Sequence, residues 1–346
     1  MKPLKTFLNL FTITAVLMLY AIPSLSETVK GPLRTRNQFP PFLMFLGPLP
    51  ESPATLSKNE LKLSPAVDYS SVFINKKSGE YSGNWDALID MELTVVDLLV
   101  EYGVTKKLTL SLQPILVSMN KGFLDSSLET YHDAFNFPNY GRENRPKDEF
   151  GYSVSYKNKK WFDGKAGGLY IADSLISAKY SVLERSEALP VNASILYTLK
   201  IPVGDSDSGF GSGHFDHGFF LLSQTVVHPV IIYVNAGYIF LSDPDTKGAN
   251  INVNNIPSLF GGLEYLYSEN LSLIAQINYF SSPFNDSIFS QFDNGSVELD
   301  LGFVYHFSQQ TSIEFAFAED LAQSGVPDFN VHLRISYLFN GKPSQH

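Results

Sequence analysis

The sequence predicts an all-β protein, a closed antiparallel transmembrane β-barrel of about 12 strands with short periplasmic turns and long extracellular loops. Three observations support this prediction. Apolar residues fall on alternate positions, the alternating segments are long, and the connections between them alternate in length. The chain has 346 residues, 14% of them aromatic, yet after residue 26 it has no apolar run as long as a membrane-spanning helix. The apolar side chains must therefore be distributed along strands.

Residues 1–26 have the features of an export signal. Lys2 and Lys5 precede an apolar run from Phe7 to Ile22, and Ser24 and Ser26 flank a cleavage point. The run is shorter than a spanning helix, which favours cleavage over a membrane anchor. Cleavage would leave 23 basic and 35 acidic residues, a net charge of −12, so a nucleic-acid partner is not expected. The chain contains no cysteine, which excludes disulfides and thiolate metal sites.

Residues 27–56 form a proline-rich N-terminal extension. The stretch GPLRTRNQFPPFLMFLGPLP, residues 31–50, combines five prolines with Arg34 and Arg36. The prolines preclude a regular helix or a central strand. We predict that the extension folds back into the periplasmic mouth of the barrel as a plug, with Arg34 and Arg36 paired to lumen carboxylates. The alternative is a disordered leader, which the large apolar residues between Phe39 and Leu46 disfavour.

Residues 57–340 are predicted to form the barrel, followed by a tail at 341–346. Strands are expected near 60–74, 86–103, 107–118, 169–183, 190–203, 215–227, 230–242, 257–268, 270–281, 296–308, 311–319 and 329–339. Most exceed the roughly five or six residues of soluble strands and reach the roughly nine to eleven that cross a bilayer. Joins such as VTKK and HP alternate with long polar inserts. A soluble β-sandwich, the alternative, would bury its aromatic face and would not need this alternation.

The less apolar side of each strand is predicted to face the lumen. Acids outnumber bases on that side by eight to four, which favours cations or neutral molecules as solutes: Lys62, Asp68, Asp90, Glu92, Asp173, Lys179, Lys200, Glu264, Glu298, Asp300, Glu314 and Arg334. Buried dry and unpaired, such groups would cost several kcal/mol each, so they must be hydrated or paired. In the second strand the alternation slips near Val96, and a β-bulge is the simplest cause.

The connection from Asn120 to Glu149 is a second candidate for a gate, because loops beyond about fifteen residues are usually functional or disordered. Its DSSLETYHDAF stretch has helical spacing of apolar residues. Six side chains could form a solute site or a salt-bridged lid, with a solvated surface loop as the alternative: Asp125, Glu129, His132, Asp133, Arg142 and Arg145. Tyr152, Val154 and Tyr156, followed by NKKW, predict an extra hairpin above the membrane.

Signals for catalysis or metal binding are weak. His306 and His332 would lie near opposite rims, so they cannot act together as base and partner. The histidines of GSGHFDHG lack metal-ligand spacing, and DSDSG only half matches a calcium loop. We therefore expect no enzyme activity, no metal site and no cofactor.

Four stretches resemble one exported bacterial barrel family that is catalogued as a domain of unknown function: residues 31–52, 96–116, 122–146 and 177–213. The 96–116 hairpin and the IPVG strand end also resemble the phenol meta-degradation type of barrel, which is held to pass aromatic solutes. The last strand, FNVHLRISYLF, resembles the recognition strand that the barrel-assembly machinery reads. The resemblance implies a barrel in the outer membrane of a Gram-negative bacterium, in contact with its lipid and lipopolysaccharide.

We therefore expect a passive channel or binding pore for a small solute, with a partly plugged polar lumen. Two alternatives stay open: a non-conducting structural or envelope-assembly barrel, and a membrane-embedded hydrolase.

Overall fold

The computed structural model describes residues 29–339, except 48, 77–84, 136–138, 140, 187–188, 247–250, 285–289, 322–324 and 326. The predicted signal segment and the tail at 341–346 lie outside the described residues. Where the chain is described, no helix is long and apolar enough to cross a membrane.

The described residues form fourteen strands. They are β1 Leu61–Lys76, β2 Trp85–Thr105, β3 Leu108–Asn120, β4 Gly151–Tyr156, β5 Lys159–Asp163, β6 Leu169–Leu183, β7 Val191–Ile201, β8 Asp216–Val227, β9 Val230–Phe240, β10 Ile256–Leu266, β11 Leu271–Phe280, β12 Ser296–His306, β13 Thr311–Asp320 and β14 Phe329–Phe339. Three short helices accompany them: α1 Pro40–Leu43, α2 Asp125–Phe135 and α3 Ser290–Asp293.

Twelve of these strands close into one antiparallel barrel. Strand β1 pairs with β2 on one side and with β14 on the other, so the described sheet has no free edge at the chain ends. Each barrel strand begins and ends within two residues of its predicted position. The predicted closed barrel is confirmed.

The hairpin of β4 and β5 is the part of the sheet that leaves the barrel wall. Strand β3 accompanies β2 only as far as Glu92, and beyond that level β4 pairs with Trp85 to Asp90 in its place. The predicted extra hairpin is therefore present, as an extension of the wall at one end of the barrel.

The two ends of the barrel differ in their connections. Short joins follow β2, β6, β8, β10 and β12, whereas the other connections are longer, and the one from β3 to β6 contains α2 and the β4–β5 hairpin. We call these the short-turn end and the long-loop end. This is the layout expected of a transmembrane barrel.

The exposure of the side chains alternates from one residue to the next along the strands, as the two-residue alternation of apolar residues predicts. In β8, Leu221 is 56% exposed, while its neighbours Phe220 and Leu222 are 5% and 1% exposed. Leu221 therefore lies on the outer surface and its neighbours face the lumen. The outer surface is apolar over most of its strands, as a surface in contact with lipid requires.

The predicted bulge near Val96 is wrong. Strand β2 pairs with β1 in one unbroken register from Tyr102 to Ala87, and the irregularities of this region lie between other residue pairs, at Gly103/Thr105 and Gln113/Ile115. Val96 is 41% exposed, so the even-numbered residues of β2 face outward along its whole length. The apolar inward row in the upper half of β2 is Ile89, Met91, Leu93 and Val95.

Candidate functional site: the lumen and its N-terminal plug

Residues 29–56 lie inside the barrel and are called the plug below. The chain enters at the short-turn end, where the backbone N–H of Gly31 donates to Glu264 at 3.0 Å. It leaves at the same end, where the N–H of Leu56 donates to the hydroxyl of Thr109 at 2.8 Å. Between these points the plug has an entering limb, residues 29–38, a tip, residues 39–47, and a return limb, residues 49–56. It therefore crosses the lumen twice.

The entering limb is bound to the wall through its backbone as well as its side chains. Gln276 accepts a hydrogen bond from the N–H of Leu33 and donates one to its carbonyl, both at 3.0 Å. The hydroxyl of Thr35 donates to Asp300, and the N–H of Arg34 donates to Glu314. Because proline-rich chain lacks regular partners of its own, these polar side chains of the wall satisfy its backbone.

Arg34 joins the two limbs of the plug to the wall. One guanidinium nitrogen donates to Glu101 at 2.7 Å and the other to Glu51 at 3.0 Å. Glu51 belongs to the return limb and also accepts from Lys179 at 2.8 Å. Charge-assisted contacts of this kind are the stronger class of hydrogen bond. The geometry at Arg34 agrees with the predicted pairing to lumen carboxylates.

Arg36 does not have the predicted pairing. Its guanidinium donates a hydrogen bond to the carbonyl of Leu43 in the tip, at 3.4 Å, and forms no ion pair with a carboxylate of the described residues. The side chain is buried and packs beside Gly47, so it folds back against the plug. Its position is set by the turn of the tip, which the alternation of the strands does not reveal.

The tip is held by Lys200, which is fully buried in the wall. Its ammonium contacts Asp173 at 2.5 Å, the hydroxyl of Ser212 at 2.6 Å, the carbonyl of Met44 at 2.9 Å and Asp216 at 3.3 Å. Asp216 in turn accepts from the N–H of Leu46 at 3.0 Å. One lysine thus connects the tip, two wall strands and the connection from β7 to β8.

The lumen has an apolar layer and a polar layer. At the long-loop end the tip packs in a large buried cluster with inward residues of β2, β3 and the β4–β5 hairpin, among them Phe39, Phe45, Ile89, Met91, Val117, Trp161 and Phe162. Toward the short-turn end the inward residues are ionisable or hydrogen-bonding. The plug matches both layers, because its tip is apolar and its two limbs carry Arg34 and Glu51.

This layering explains the misplacement of two predicted lumen residues. Asp90 and Glu92 face the outside of β2, since the inward face at their level contacts the apolar tip. They are buried all the same, because the chain after β3 covers them. Arg145 contacts Asp90 at 2.6 Å, and the N–H of Phe123 donates to Glu92 at 2.8 Å.

The other predicted lumen residues lie on the inner wall and are mostly paired. His332 contacts Asp68 at 2.9 Å through Nδ1 and Glu314 at 3.3 Å through Nε2. Arg334 contacts Asp97 at 3.2 Å. The remaining members are buried on the same wall: Asp173, Lys179, Lys200, Glu264, Glu298 and Asp300. Lys62 is half-buried at the short-turn end.

Sequence reasoning missed four ionisable residues of this site. Asp97 and Glu101 alternate with Leu98, Val100 and Tyr102, so the two-residue alternation of the strand was a signal that could have placed them in the lumen. Asp216 stands at the first position of β8, where a strand pattern is weakest. Glu51 lies between two prolines of the extension, Pro50 and Pro53, and had no strand pattern to place it.

The predicted gate at residues 120–149 is salt-bridged, but it lies on the outside of the wall. Arg142 contacts Asp125 and, at 2.5 Å, Asp328, and its guanidinium stands 5.0 Å from the ring centre of Phe73, an outward residue of β1. Tyr131 donates to Glu319, an outward residue of β13. Glu129 pairs with Lys147, while His132 and Asp133 each contact Asn139. A lid across the lumen is therefore the wrong interpretation of this connection.

In the Arg142 cluster, burial and neighbouring charges act in opposite directions on the pKa values of Arg142 and Asp328. Burial raises the pKa of the Asp328 carboxyl, and the neighbouring guanidinium lowers it. Burial would lower the pKa of Arg142, but Asp328 and Asp125 together raise it. The Arg142 guanidinium therefore compensates both carboxylates.

We expect Arg142→Gln to release the connection without opening the lumen. Breaking a buried ion pair costs about 3–5 kcal/mol, because a charge is left without a partner. Residues 120–149 should become accessible to protease and to hydrogen exchange, while single-channel conductance stays unchanged. Lys147→Gln is the matched control, since its exposed pair is worth about 1 kcal/mol or less. A change in conductance in Arg142→Gln alone would restore the gate interpretation.

The residues considered for catalysis or metal binding have structural roles. His332 is engaged by two carboxylates and lies level with Ala316 of β13 and Gly302 of β12, whereas His306 is the last residue of β12, near the short-turn end. Asp205 accepts from the N–H groups of Asp207 and Ser208 and begins a short helical turn. In the described chain no three His, Asp or Glu side chains are grouped to hold a metal ion.

Among the cavities between the plug and the wall are two that are lined by described residues. One, of about 10 Å³, has room for about one water molecule and lies beside the return limb, lined by Leu49, Pro50, Phe220, Leu222, Asn235, Ser258, Phe260, Asn278 and Phe280. The other, of about 180 Å³, lies at the short-turn end between the two limbs. We call the larger one the vestibule.

Comparison with known proteins bears on the fold and the family. A family model described as "Protein of unknown function (DUF3187)" matches residues 9–339. No curated protein matches the sequence. The COG4313 outer membrane channel from Pseudomonas putida F1 is similar in structure, with a TM-score of 0.55 at 15% identity over 84% of this chain and 99% of that chain.

Two further solved structures are more distant. The NanC porin gives a TM-score of 0.44 at 10% identity, over 81% of this chain and 99% of that chain. The CymD monoaromatic hydrocarbon channel gives 0.38 at 12% identity, over 84% and 90%. Similarity at these two TM-scores says nothing about function, whereas the similarity to the Pseudomonas channel supports the barrel fold.

Proposed function

Because the chain belongs to the DUF3187 family of proteins of unknown function and folds as a closed barrel, we propose that it is an outer-membrane channel for a small solute, narrowed by its own plug. The observation that carries the proposal is the division of the two faces of the wall. Apolar residues cover the outside, while ionisable and amide side chains line the inside of the short-turn half. The interior of a transmembrane barrel is polar where it holds water or a plug, and in porins such an interior forms the route of a solute.

The orientation follows from the two ends. Long loops lie outside and short turns face the periplasm in barrels of this class, so both ends of the plug face the periplasm. The proposal includes export of the chain, its insertion by the barrel-assembly machinery, and contact of the barrel with lipid and lipopolysaccharide.

Passage requires movement of the plug. The gap beside the return limb has room for about one water molecule, so we expect a larger solute to pass only when the plug is displaced. The tip is held mainly by Lys200 and by apolar contacts, and the limbs by hydrogen bonds to the wall. Such contacts can break locally while the barrel, which has no free edge, stays closed.

A second candidate is the non-conducting structural barrel. The observation in its favour is the density of contacts between the plug and the wall, which would suit a permanently filled lumen. Planar-bilayer recording of the purified protein separates the two. We expect small, infrequent openings for the intact protein. Silence of the intact protein together with silence after plug deletion would leave only the structural barrel.

A further inference from the structure

The vestibule differs in charge from the rest of the lumen. Although carboxylates predominate on the inner wall, the residues that line this cavity include only two of them, Glu101 and Glu314. Five cations line it: Lys30, Arg34, Lys62, Lys179 and Arg334. The plug adds to this excess by contributing Lys30 and Arg34. The wall alone contributes Lys62, Lys179 and Arg334 against Glu101 and Glu314, while Glu51 and Asp97, the partners of Lys179 and Arg334, are not among the lining residues.

One of these cations, Lys62, lines the cavity with a partly exposed side chain. Lys62 lies 3.6 Å from Glu101, which is beyond hydrogen-bond distance, and its side chain is 29% exposed. Glu101 is already engaged by Arg34 through two hydrogen bonds at 2.7 and 3.1 Å. An ammonium has three donors and no acceptor, so Lys62 can donate to a ligand in the vestibule.

The cavity also offers neutral donors. Ser312 and Ser336 contribute hydroxyl groups to its lining. The Ser336 hydroxyl shares a hydrogen bond with the Ser64 hydroxyl at 2.8 Å, whereas the Thr55 hydroxyl already donates to the carbonyl of Lys106. A partly enclosed space with cations and hydroxyls on several sides is suited to a group with several acceptor oxygens. Its volume is below the roughly 300–1,000 Å³ of pockets that take drug-sized ligands, so the ligand is small.

We propose that the vestibule binds a small oxyanion, a carboxylate or a phosphate group, and that this group belongs to the solute that the channel passes. The inference rests on the proposed channel function and names the class of its solute. It reverses the preference for cations or neutral molecules that the acid excess of the sequence predicts. The anion accepts from Lys62 and from the hydroxyls, and the Arg34 side chain keeps its bonds to Glu101 and Glu51.

Titration calorimetry of the detergent-solubilised full protein tests the site without a membrane. Sodium acetate and inorganic phosphate are the probes, each measured against sodium chloride at equal ionic strength. Lys62→Gln should weaken binding of the preferred anion by about fivefold, the effect of one partly exposed charge. Lys107→Gln is the matched control, because Lys107 is an exposed lysine at the same end that does not line the cavity. Lys62→Arg keeps the charge and should retain binding.

The outcomes are distinct. Binding of acetate alone identifies a carboxylate solute, and binding of phosphate alone a phosphate ester or ion. If the intact protein binds neither probe, or if Lys62→Gln and Lys107→Gln bind equally well, the inference is wrong. A heat-modifiable band on a gel shows that each variant is folded. Anion binding without any bilayer conductance would contradict the channel and leave the binding site in place.

Discussion

Deletion of residues 29–53 is expected to raise single-channel conductance several-fold and to make the barrel select cations. The deletion empties the lumen and frees the wall carboxylates that the plug now engages, namely Glu101, Glu264, Asp300 and Glu314. A water-filled tube lined by an excess of one charge concentrates the opposite ion. Conductance and reversal potential in a potassium chloride gradient measure both effects.

A single substitution tests the same point without removing a segment of the chain. Arg34→Gln keeps the plug but removes the ion pairs that join its limbs to Glu101 and Glu51. We expect more frequent openings of the intact size, because truncating one member of a buried ion pair costs about 3–5 kcal/mol. Arg185→Gln serves as the control, since Arg185 is exposed in the join between β6 and β7. Equal conductance in the intact protein, Arg34→Gln and the deletion would show that the plug does not limit passage.

The strands and their closure could be predicted from the sequence because they depend on a local rule. A strand in a barrel wall has one face toward lipid, and a two-residue alternation reports that face directly. In β14, where the inner row includes His332 and Arg334 and the outer row includes Leu333 and Ile335, the alternation is unambiguous. Strand ends could accordingly be placed to within two residues.

The facing of β2 could not be predicted by the same rule. The rule assumes that the lumen is wet, so that the more polar row faces inward. In the part of β2 near the long-loop end, the inward row of Ile89, Met91, Leu93 and Val95 is apolar because it meets the apolar tip of the plug. The outward row, which includes Asp90 and Glu92, is covered by the chain after β3. Deciding between them requires knowledge of what fills the lumen. Asp90 and Glu92 were therefore assigned to the wrong face.

The contacts of residues 120–149 and of the plug could not be predicted either, because they join residues that are distant in sequence. The charges of residues 125–145 predicted salt bridges, but their partners include Asp328 and Asp90, which are distant in sequence. Likewise Lys200 could be placed in the lumen, but its contact with Met44 depends on where the tip turns. Side-chain types set which contacts are possible, and only the path of the chain selects among them.

Lys200→Met is expected to release the tip and to destabilise the barrel by about 3–5 kcal/mol. The ammonium has no exposed surface and compensates two buried carboxylates, Asp173 and Asp216. Methionine fills a similar volume, so the loss is chiefly electrostatic. Asp173 and Asp216 would then lack a cation, and Met44 would lose the donor to its carbonyl. Urea unfolding in detergent measures the stability, and proteolysis of residues 39–47 measures release of the tip.

The double variant Lys200→Met with Asp173→Asn decides whether charge is the cause. Removing one of the two uncompensated carboxylates should recover part of the lost stability, and the coupling between the two sites can be obtained from a double-mutant cycle. Lys107→Met is the control for the loss of an exposed lysine. If Lys200→Met unfolds at the same urea concentration as Lys107→Met, or if the second change adds a further loss instead of a recovery, then packing of the apolar tip holds the plug. In that case the Lys200 contacts contribute little to its position.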